Sequence, residues 1–572
     1  MRRTVTWLAG LALSIGAAFT SCSDLPTGYR SDPGNPAYPP APAPRARISI
    51  SAGDYYSSLP GDTFRLQATA FDSAGHVVPT AIIRWVGSSN PAVATLDSTG
   101  KVRAIKKGVA LVIASWAGVT DSGSVQVFGT AARLVLEPES GVMVPGAIAR
   151  INVYQVLDAE GAGTFSRSLS YTSQDSAIAR AGGDGTVIAV HAGRTTINIA
   201  ADSARDSVTI DVRSLAFLAA GAGRSLGCGT AADGSAWCWG AITEQSFSRG
   251  YPQPVNAPPF ASIGVGLDHA CGLEALGAAW CWGTGTSGQL GRGSSGFSSG
   301  PPALVQSAAP FRVLSAGATH SCAVSTAGQA YCWGSNIAGE IGATTSDLCF
   351  PIFKGTPINC TLRPTLIPAL SGPTTIAAGA GHSCATNAAG DAWCWGLNDE
   401  GQLGDGSTVN RAAPVPVAGG LHFSTITAGD HFTCALTAGG ALYCWGRNSS
   451  GQGARPQPVA VSTPTAGGGA TAFSQVAAGM NHACAIALDG SAWCWGANTY
   501  GQAGASLGTG ALFQPTAVAG GLAFRNVKPG DDHSCGVTTS GTAWCWGLAD
   551  GFNFGDGRAG AFPVPQKVLG QP

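Results

Sequence analysis

The sequence contains few charged residues, and the two signs almost cancel. Asp, Glu, Lys and Arg make up 11% of the 572 residues, against about 25% in a typical soluble protein. The formal net charge is −1, which excludes a general electrostatic attraction to nucleic acid or anionic lipid. Methionine is also scarce, with 3 residues, whereas glycine reaches 82. This composition is typical of short strands joined by tight turns rather than of helices.

Long hydrophobic runs are absent except near the start of the sequence. Two arginines precede an apolar run over 5–18, and small residues follow it, as in an export signal. The run is too short for a comfortable permanent membrane span. The residues before Cys22 resemble the site at which bacterial lipoproteins are cleaved and acylated, although Phe19 stands where leucine is usual. We therefore expect a signal peptide over 1–22 and a lipid on Cys22; secretion without a lipid is the alternative.

A Pro-rich segment follows, and two related stretches come after it. Residues 23–45 contain seven prolines and are expected to form a semi-extended linker. The stretch WVGSSNPAVATLDSTGKVRAIKKGVALVIA (85–114) has a weaker copy, YTSQDSAIARAGGDGTVIAVHAGRTTINIA (171–200). Both resemble the bacterial Ig-like (Big) family. The resemblance implies two β-sandwiches, over 46–128 and 131–213, which we interpret as spacers in a stalk.

From residue 214 onward the chain repeats a pair of cysteines seven times. The two cysteines of a pair are ten residues apart, and the sixth residue after the first cysteine is always glycine. If the cysteines face each other across a hairpin, this glycine takes the last of three loop positions, which requires a positive φ. Directly opposed Cα atoms lie about 4.5–5.5 Å apart, within reach of a disulfide. The predicted disulfides join Cys228 to Cys238, Cys271 to Cys281, Cys322 to Cys332, Cys384 to Cys394, Cys434 to Cys444, Cys484 to Cys494 and Cys535 to Cys545.

A histidine two residues before the first cysteine of five pairs leaves a metal site as the alternative. These residues are His269, His320, His382, His482 and His533. Zinc needs thiolates and about four ligands at each site, whereas cysteine in an exported protein is oxidised. We therefore expect no metal and no cofactor. A two-residue step places His and Cys on one face of a strand, so we expect each histidine to pack or hydrogen-bond within its own repeat.

Aromatic residues and a glycine-rich motif accompany each hairpin. Trp393 and Trp395 flank Cys394, a pattern that favours a core between repeats over a sugar-stacking surface. The segment WGLNDEGQLGDG (395–406), with variants such as WGTGTSGQLGRG and WGSNIAGEIGAT, resembles the regulator of chromosome condensation (RCC) repeat. The resemblance implies a seven-bladed β-propeller over 214–572, and hence an all-β fold for the whole chain.

The third repeat is longer than the others and contains two further cysteines. Cys349 and Cys360 are expected to staple a protruding loop with the sequence DLCFPIFKGTPINCTLRP over 347–364. The residues that this loop would present to a partner are Phe350, Ile352, Phe353 and Lys354. A constrained apolar loop loses little entropy on docking. The alternative is an insert that folds back over its own blade.

These features favour a binding protein of the cell envelope. We expect a lipid-anchored monomer that presents the propeller to a protein or cell-surface ligand, binds no nucleic acid, meets the membrane only through its lipid and has no catalytic activity. Inhibition of a secreted enzyme and catalysis on an envelope polymer are the alternatives. The G-x-S-x-G pattern at 223–227 approaches a strand rather than a helix, so it does not indicate a serine hydrolase. The RCC resemblance also implies nucleotide exchange on a small GTPase, a partner that an exported chain would not meet.

Overall fold

The computed structural model describes residues 45–50, 55–137, 140–166, 168–240, 249–296, 301–350, 356–370, 372–456, 460–467, 471–549 and 553–571. The expected signal peptide, Cys22 and almost all of the linker lie outside these residues. The described part of the chain folds into 48 β-strands, which confirms the all-β class, and contains no helix able to cross a membrane. The chain divides after Phe128 into two compact units, and each is described by itself.

The first unit is a β-sandwich of nine strands. They are β1 (Arg47–Ile50), β2 (Tyr55–Ser58), β3 (Thr63–Arg65), β4 (Ala68–Phe71), β5 (Arg84–Ser88), β6 (Ala94–Leu96), β7 (Lys101–Ala104), β8 (Gly108–Trp116) and β9 (Val119–Val127). The sheets have the orders β2-β9-β8-β5, β3-β7-β6 and β1-β4. Alternate residues of β7, β8 and β9 point inward, so Val102, Val112 and Val125 share one core and are fully buried.

The second unit begins with a sandwich of the same plan. Its strands are β10 (Arg133–Glu137), β11 (Ser140–Met143), β12 (Ile148–Arg150), β13 (Asn152–Leu157), β14 (Gly163–Thr164), β15 (Leu169–Ser173), β16 (Ala179–Ala181), β17 (Thr186–Ala189), β18 (Gly193–Ala201) and β19 (Ala204–Val212). The orders β11-β19-β18-β15 and β12-β17-β16 repeat those of the first sandwich, and β11 pairs in parallel with β19 as β2 does with β9. The weaker sequence copy therefore has the same topology as the first; membership of the Ig-like family stays a prediction.

The rest of the second unit consists of seven antiparallel sheets, the blades of the propeller. Blades 1 to 3 contain β20 (Phe217–Ala222), β21 (Leu226–Ala231), β22 (Ala236–Gly240), β23 (Arg249–Pro254); β24 (Ser262–Val265), β25 (His269–Leu273), β26 (Ala279–Gly283), β27 (Ala303–Leu304); β28 (Phe311–Ala316), β29 (His320–Ser325), β30 (Ala330–Ser335), β31 (Asp347–Cys349) and β32 (Ile358–Leu366). Blades 4 and 5 contain β33 (Pro373–Ala378), β34 (His382–Asn387), β35 (Ala392–Gly396), β36 (Arg411–Pro416); β37 (Thr425–Ala428), β38 (Phe432–Leu436), β39 (Leu442–Gly446) and β40 (Val461–Ala466). Blades 6 and 7 contain β41 (Phe473–Ala478), β42 (His482–Ala487), β43 (Ala492–Ala497), β44 (Ala511–Ala517); β45 (Phe524–Pro529), β46 (His533–Thr538), β47 (Ala543–Ala549) and β48 (Gly560–Lys567).

The seven predicted hairpin disulfides are all present, one in each blade. In every blade the two cysteines lie directly opposite each other on the second and third strands. Their Cα atoms are 4.1 Å apart, closer than the expected separation. All fourteen residues are fully buried. The bonds join Cys228 to Cys238, Cys271 to Cys281, Cys322 to Cys332, Cys384 to Cys394, Cys434 to Cys444, Cys484 to Cys494 and Cys535 to Cys545.

The loop of each hairpin has the predicted length. In blade 1 the amide of Ala231 bonds the carbonyl of Ser235, so that the loop between them has three residues and ends at Gly234. Gly234 has a φ of 81°, and its counterparts in the other blades are also positive. Glycine adopts a positive φ without steric cost, which confirms the predicted role of glycine at the last loop position.

The blades meet at the axis through a ring of seven glycines, one after the first strand of each blade. The ring consists of Gly223, Gly266, Gly317, Gly379, Gly429, Gly479 and Gly530. A Cβ atom on any of them would lie 2.2–2.7 Å from the carbonyl oxygen of the next ring glycine, so no larger residue fits without displacing backbone. Backbone hydrogen bonds follow the same circle, and the 3.1 Å bond from the amide of Asp531 to the carbonyl of Gly223 closes it.

Within the described residues, the first and last blades share no strand, because every sheet is built from strands that follow one another along the chain. Besides the backbone bond between Asp531 and Gly223, side chains and the C-terminal segment hold the seam together. The indole Nε1 of Trp239 in blade 1 donates to the carbonyl of Asn553 in blade 7 at 2.8 Å. The amide of Leu215 donates to the carbonyl of Gly570, and the amide of Gly570 donates to the carbonyl of Pro145 in the second sandwich.

The second sandwich therefore takes part in closing the ring. Val144 is fully buried, and a Cβ atom on Gly570 would lie 2.4 Å from its side chain. One continuous hydrophobic core contains Val144, Leu215, Trp239 and Val568, and so joins the sandwich to blades 1 and 7. The interpretation of this sandwich as a spacer is incomplete, since it also packs against the seam.

We expect Gly317→Ala to lower the free energy of unfolding by roughly 1–3 kcal/mol, because its new Cβ would meet a backbone carbonyl at the axis. Gly439→Ala is the matched control, since Gly439 lies in a hairpin loop, has no positive φ and has nothing closer to a new Cβ than 4.0 Å. Urea denaturation of both variants measures the difference. Equal losses in the two variants would contradict a sterically closed glycine ring.

We also expect residues 129–572 to resist denaturation better than residues 214–572. The shorter chain loses Val144 and Pro145, and with them the contacts that hold Gly570 at the seam. The measurement is thermal unfolding under oxidising conditions, with binding of a hydrophobic dye as a second readout of exposed core. A propeller of 214–572 that melts at the same temperature as 129–572 would show that the sandwich does not stabilise the ring.

Candidate functional site

The repeated histidines link neighbouring blades. His269, His320, His382 and His482 are fully buried, and Nε2 of each lies 2.8–2.9 Å from a Ser or Thr hydroxyl of the next blade. Those hydroxyls belong to Ser321, Ser383, Thr433 and Ser534. For these four histidines the expectation of a hydrogen bond within one blade is wrong. The partner lies 51 to 63 residues away along the chain, where spacing within one repeat cannot indicate it.

The fifth histidine has a different partner. Blade 1 has Gly227 at the position where most blades have Ser or Thr, so it offers no hydroxyl to blade 7. His533 of blade 7 is also fully buried, and its Nδ1 lies 3.1 Å from Nδ2 of Asn553 in the same blade. Here the contact within one repeat is found as predicted.

Each of these hydroxyls also donates a hydrogen bond to a backbone carbonyl of the preceding blade. Ser321 donates to the carbonyl of Gln289 at 3.1 Å, and Trp333 Nε1 donates to the same oxygen at 2.9 Å. A serine hydroxyl has one hydrogen, so His269 must donate from Nε2 to Ser321. Thr433 shares the carbonyl of Gln402 with the indole of its own blade in the same way. These contacts bind the GQLG-type loop of one blade to the central strands of the next.

Two interfaces lack the hydrogen bond and are apolar on both sides. Blade 5 has Phe432 at the histidine position, and blade 6 opposes it with Ala483 in place of a hydroxyl. Blade 1 has Leu226, and blade 2 opposes it with Ala270. A buried donor without an acceptor is costly, whereas an apolar pair leaves nothing unsatisfied. At each of these two interfaces, the histidine position and the hydroxyl position opposite it therefore both carry an apolar residue.

The buried histidines are neutral at neutral pH. Burial lowers the pKa of His269, His382, His482 and His533 to about 3, and that of His320 to about 4 despite the nearby Glu340. The adjacent cysteines are bonded to each other, so they offer no thiolate to a metal. The described residues contain no group of three or more His, Cys, Asp or Glu placed to hold a metal ion. We therefore assign these histidines to the packing of the blades.

The second aromatic residue of each hairpin belongs to the core between blades, as the sequence predicts. Trp395 of blade 4 is fully buried with Ile341 and Ile376 in the core on the blade 3 side, and Trp445 of blade 5 packs in the same way against blade 4. The first aromatic is more accessible, since Trp393 and its counterpart in blade 5 are only partly buried.

The insert of blade 3 extends the sheet rather than leaving it as a free loop. The strand β31 pairs with β32 outside the usual fourth position, and Cys349 and Cys360 are bonded with Cα atoms 5.9 Å apart. Both cysteines are fully buried. Phe350 is 66% exposed and Leu348 is 51% exposed. The predicted contact residues Ile352, Phe353 and Lys354 lie outside the described residues.

A second feature, absent from the sequence interpretation, is a charged cluster where the glycine ring opens to solvent. Arg224 lies 3.7 Å from carboxylate oxygens of both Asp268 and Asp531. Asp430 contacts His431 at 2.8 Å and Arg447 at 3.0 Å. Arg224, Asp430 and Asp531 directly follow a ring glycine, and Asp268 and His431 lie one residue further along the chain. Arg447 instead follows β39. The residue after the ring glycine differs from repeat to repeat. This variation within an otherwise regular repeat is the sequence signal that could have indicated the charged cluster.

The serine of the G-x-S-x-G pattern does not lie in the kind of turn that a serine hydrolase nucleophile needs. Ser225 lies in the turn between β20 and β21, whereas a nucleophile elbow joins a strand to a helix. A Cβ atom on Gly240 would lie 2.3 Å from the carbonyl of Ser225, so this turn packs closely against the end of the hairpin. The pattern reflects the repeat and not a catalytic turn.

Comparison with known families identifies the repeat. A family model described as the regulator of chromosome condensation (RCC1) repeat matches residues 277–324, 327–386 and 389–436. A second model of the same repeat matches 312–340, 374–402, 423–452, 473–502 and 527–553. The propeller therefore contains RCC1 repeats, and the resemblance inferred from the motifs is confirmed for this part of the chain.

Similar proteins match part of this chain. Human RCC1 domain-containing protein 1 is 34% identical over 112 residues, which are 18% of this chain and 27% of the relative. The secretion-regulating guanine nucleotide exchange factor of Bos taurus is 34% identical over 119 residues, 18% of this chain and 25% of that protein. The chain thus spans about a quarter of these relatives' length. The structure of Prp20p from Saccharomyces cerevisiae aligns with a TM-score of 0.50 at 21% identity, over 62% of this chain and 87% of that one, which supports the propeller fold.

We expect Ser534→Ala to destabilise the chain by about 1–3 kcal/mol, because it leaves the buried Nε2–H of His482 without an acceptor. Combining it with His482→Phe reproduces the apolar pair of Phe432 and Ala483 at the neighbouring interface. The double variant is expected to lose less stability than the sum of the two single losses. Urea denaturation of the four proteins in a double-mutant cycle measures the coupling. Additive losses would show that His482 and Ser534 do not depend on each other.

Proposed function

We propose that this chain, whose propeller contains RCC1 repeats, presents that propeller as a scaffold for binding a protein or a cell-surface ligand. The observation that carries the proposal is the insert of blade 3. It departs from the repeat, is fixed at its base by a disulfide, and exposes Leu348 and Phe350 beside it.

The repeated polar residues support binding rather than catalysis. The buried histidines and hydroxyls hydrogen-bond between blades, so their chemistry is used in holding the ring together. The G-x-S-x-G serine lies in a turn between two strands. We therefore assign no reaction to this chain, and inhibition of a secreted enzyme would be one form of the proposed binding.

The insert is suited to docking because its apolar side chains start from a rigid base. Cys349 and Cys360 are fully buried and bonded, and the amide of Asn336 donates to the carbonyl of Asn359 at 2.8 Å, which ties the insert to the end of β30. Leu348 of β31 lies directly opposite Asn359 of β32, the residue that accepts this hydrogen bond. Ordering such a segment costs little conformational entropy when a partner covers it.

The cell envelope is the location that we propose for this binding. Eight disulfides lie within the propeller, and such bonds persist in oxidising compartments and are rare in the cytosol. The expected signal peptide and the acylation of Cys22 would tether the chain to a membrane. Nucleotide exchange, which the name of one relative states for that protein, is not proposed here, because an exported chain would not meet a cytosolic GTPase.

We expect the oxidised full chain to capture a specific partner from an envelope extract, and Phe350→Ser to weaken that capture at least about tenfold, as for an interface hot spot. Leu488→Ser is the matched control, since Leu488 is 75% exposed on a hairpin loop of blade 6. Quantitative affinity capture compares the three baits. Equal capture by all three would place recognition away from the insert, and no capture by the unaltered chain would contradict binding of an envelope protein.

A further inference from the structure

The first strands of the seven blades surround the central channel, and one residue of each strand lies opposite the first cysteine of the blade's hairpin. Six of these residues are small: Gly221, Gly264, Ser315, Ala377, Thr427 and Ala477. The seventh, in blade 7, is Lys528, opposite Cys535. The chain has only six lysines, so a lysine at the innermost strand is not a consequence of composition.

Space at this position is limited by the neighbouring blade. Side chains here reach toward the first strand of the next blade, as shown by the 3.0 Å bonds from the amide of Ala378 to Ser315 Oγ and from the amide of Ala478 to Thr427 Oγ1. A Cβ atom on Gly264 would lie 3.3 Å from the amide nitrogen of Ala316. A lysine chain does not fit between the strands. Lys528 is nevertheless exposed, so its side chain leaves the gap between the strands and reaches solvent.

The ammonium group of Lys528 has no anionic partner among the residues that the structure describes. None of the ion pairs in that part of the chain includes it. Desolvation by the surrounding protein lowers the pKa of Lys528. The Asp531 carboxylate, three residues further on, is paired with Arg224 at the solvent end of the ring.

An uncharged polar side chain lies next to Lys528 on the same strand. Asn526 lies two residues before Lys528 and so on the same side of β45. Its Oδ1 accepts the amide of Ala220 at 3.1 Å, and its Nδ2 remains a donor. The hydroxyls at the corresponding positions of blades 3 and 5, on Ser315 and Thr427, instead accept backbone amides of the next blade. An unpaired cation beside an amide donor is the chemistry that recognises an oxyanion.

We propose that the central channel holds a small oxyanion, a phosphate or carboxylate group, bound by the ammonium group of Lys528. The anion would supply the charge partner that the protein does not. The glycine ring, two residues beyond Lys528, encloses a cavity of only about 60 Å³ to which Lys528 does not contribute, so the anion would lie on the side of the ring where Lys528 is exposed. The proposal does not depend on which macromolecule the insert binds, because Lys528 and Phe350 belong to different blades.

The test uses the full chain with its lysines reductively methylated with ¹³C, which preserves their charge. Inorganic phosphate and succinate are titrated separately at constant ionic strength, and Lys528→Arg assigns the Lys528 resonance. We expect that resonance to shift saturably with at least one of the two anions, while the resonance of Lys567, an exposed lysine of β48, shifts little. The anion that saturates identifies the preferred group.

Thermal unfolding provides an independent readout. The same anion should raise the melting temperature of the unaltered chain and of Lys567→Met, with a rise that grows with the logarithm of anion concentration, and should have little effect on Lys528→Met. Two results would overturn the proposal. One is a Lys528 resonance that moves no more than that of Lys567 with either anion, and the other is an equal rise in melting temperature for both methionine variants.

Discussion

The close approach of seven backbone segments at the axis is the constraint on which the rest of the propeller depends. Each ring glycine lies against the carbonyl of the next, closer than any side chain would allow. This contact fixes the distance between neighbouring first strands. The histidine of one blade then lies within 2.9 Å of the hydroxyl of the next, and the buried Trp of each hairpin enters the core of the blade before it. Wider spacing would break these contacts together.

Covalent and non-covalent contacts stabilise different levels of this structure. Each hairpin disulfide joins cysteines ten residues apart within a single blade, so it strengthens that blade and adds nothing to closure of the ring. The interfaces between blades rely on buried hydrogen bonds or on matched apolar pairs such as Phe432 and Ala483. The seam between blades 7 and 1 adds the C-terminal segment and the second sandwich, with Val144 against Gly570. The eight disulfides therefore do not stabilise the closure of the ring.

Features set within one repeat could be predicted from the sequence, as could the burial of aromatic residues between repeats, whereas the specific partners across each interface could not. The cysteine register and the positive φ of Gly234 follow from a ten-residue spacing. The partner of His320 is Ser383, 63 residues away, and its identity depends on how adjacent blades meet. Val144 carries no local signal for its contact with the seam. Lys528 was detectable only after aligning the innermost strands, where six small residues make it the exception.

The central claim is that the ring is continuous although no strand of the described residues is shared across its seam. Native-state hydrogen exchange of the seven ring amides tests it most directly: Arg224, Leu267, Ala318, Ala380, Asp430, Met480 and Asp531, each bonded to a carbonyl of the next blade. A continuous ring predicts that all seven exchange with the same opening free energy, equal to that of global unfolding. Faster exchange at Asp531 alone, whose amide crosses the seam to Gly223, would show a ring that opens there and would contradict the account.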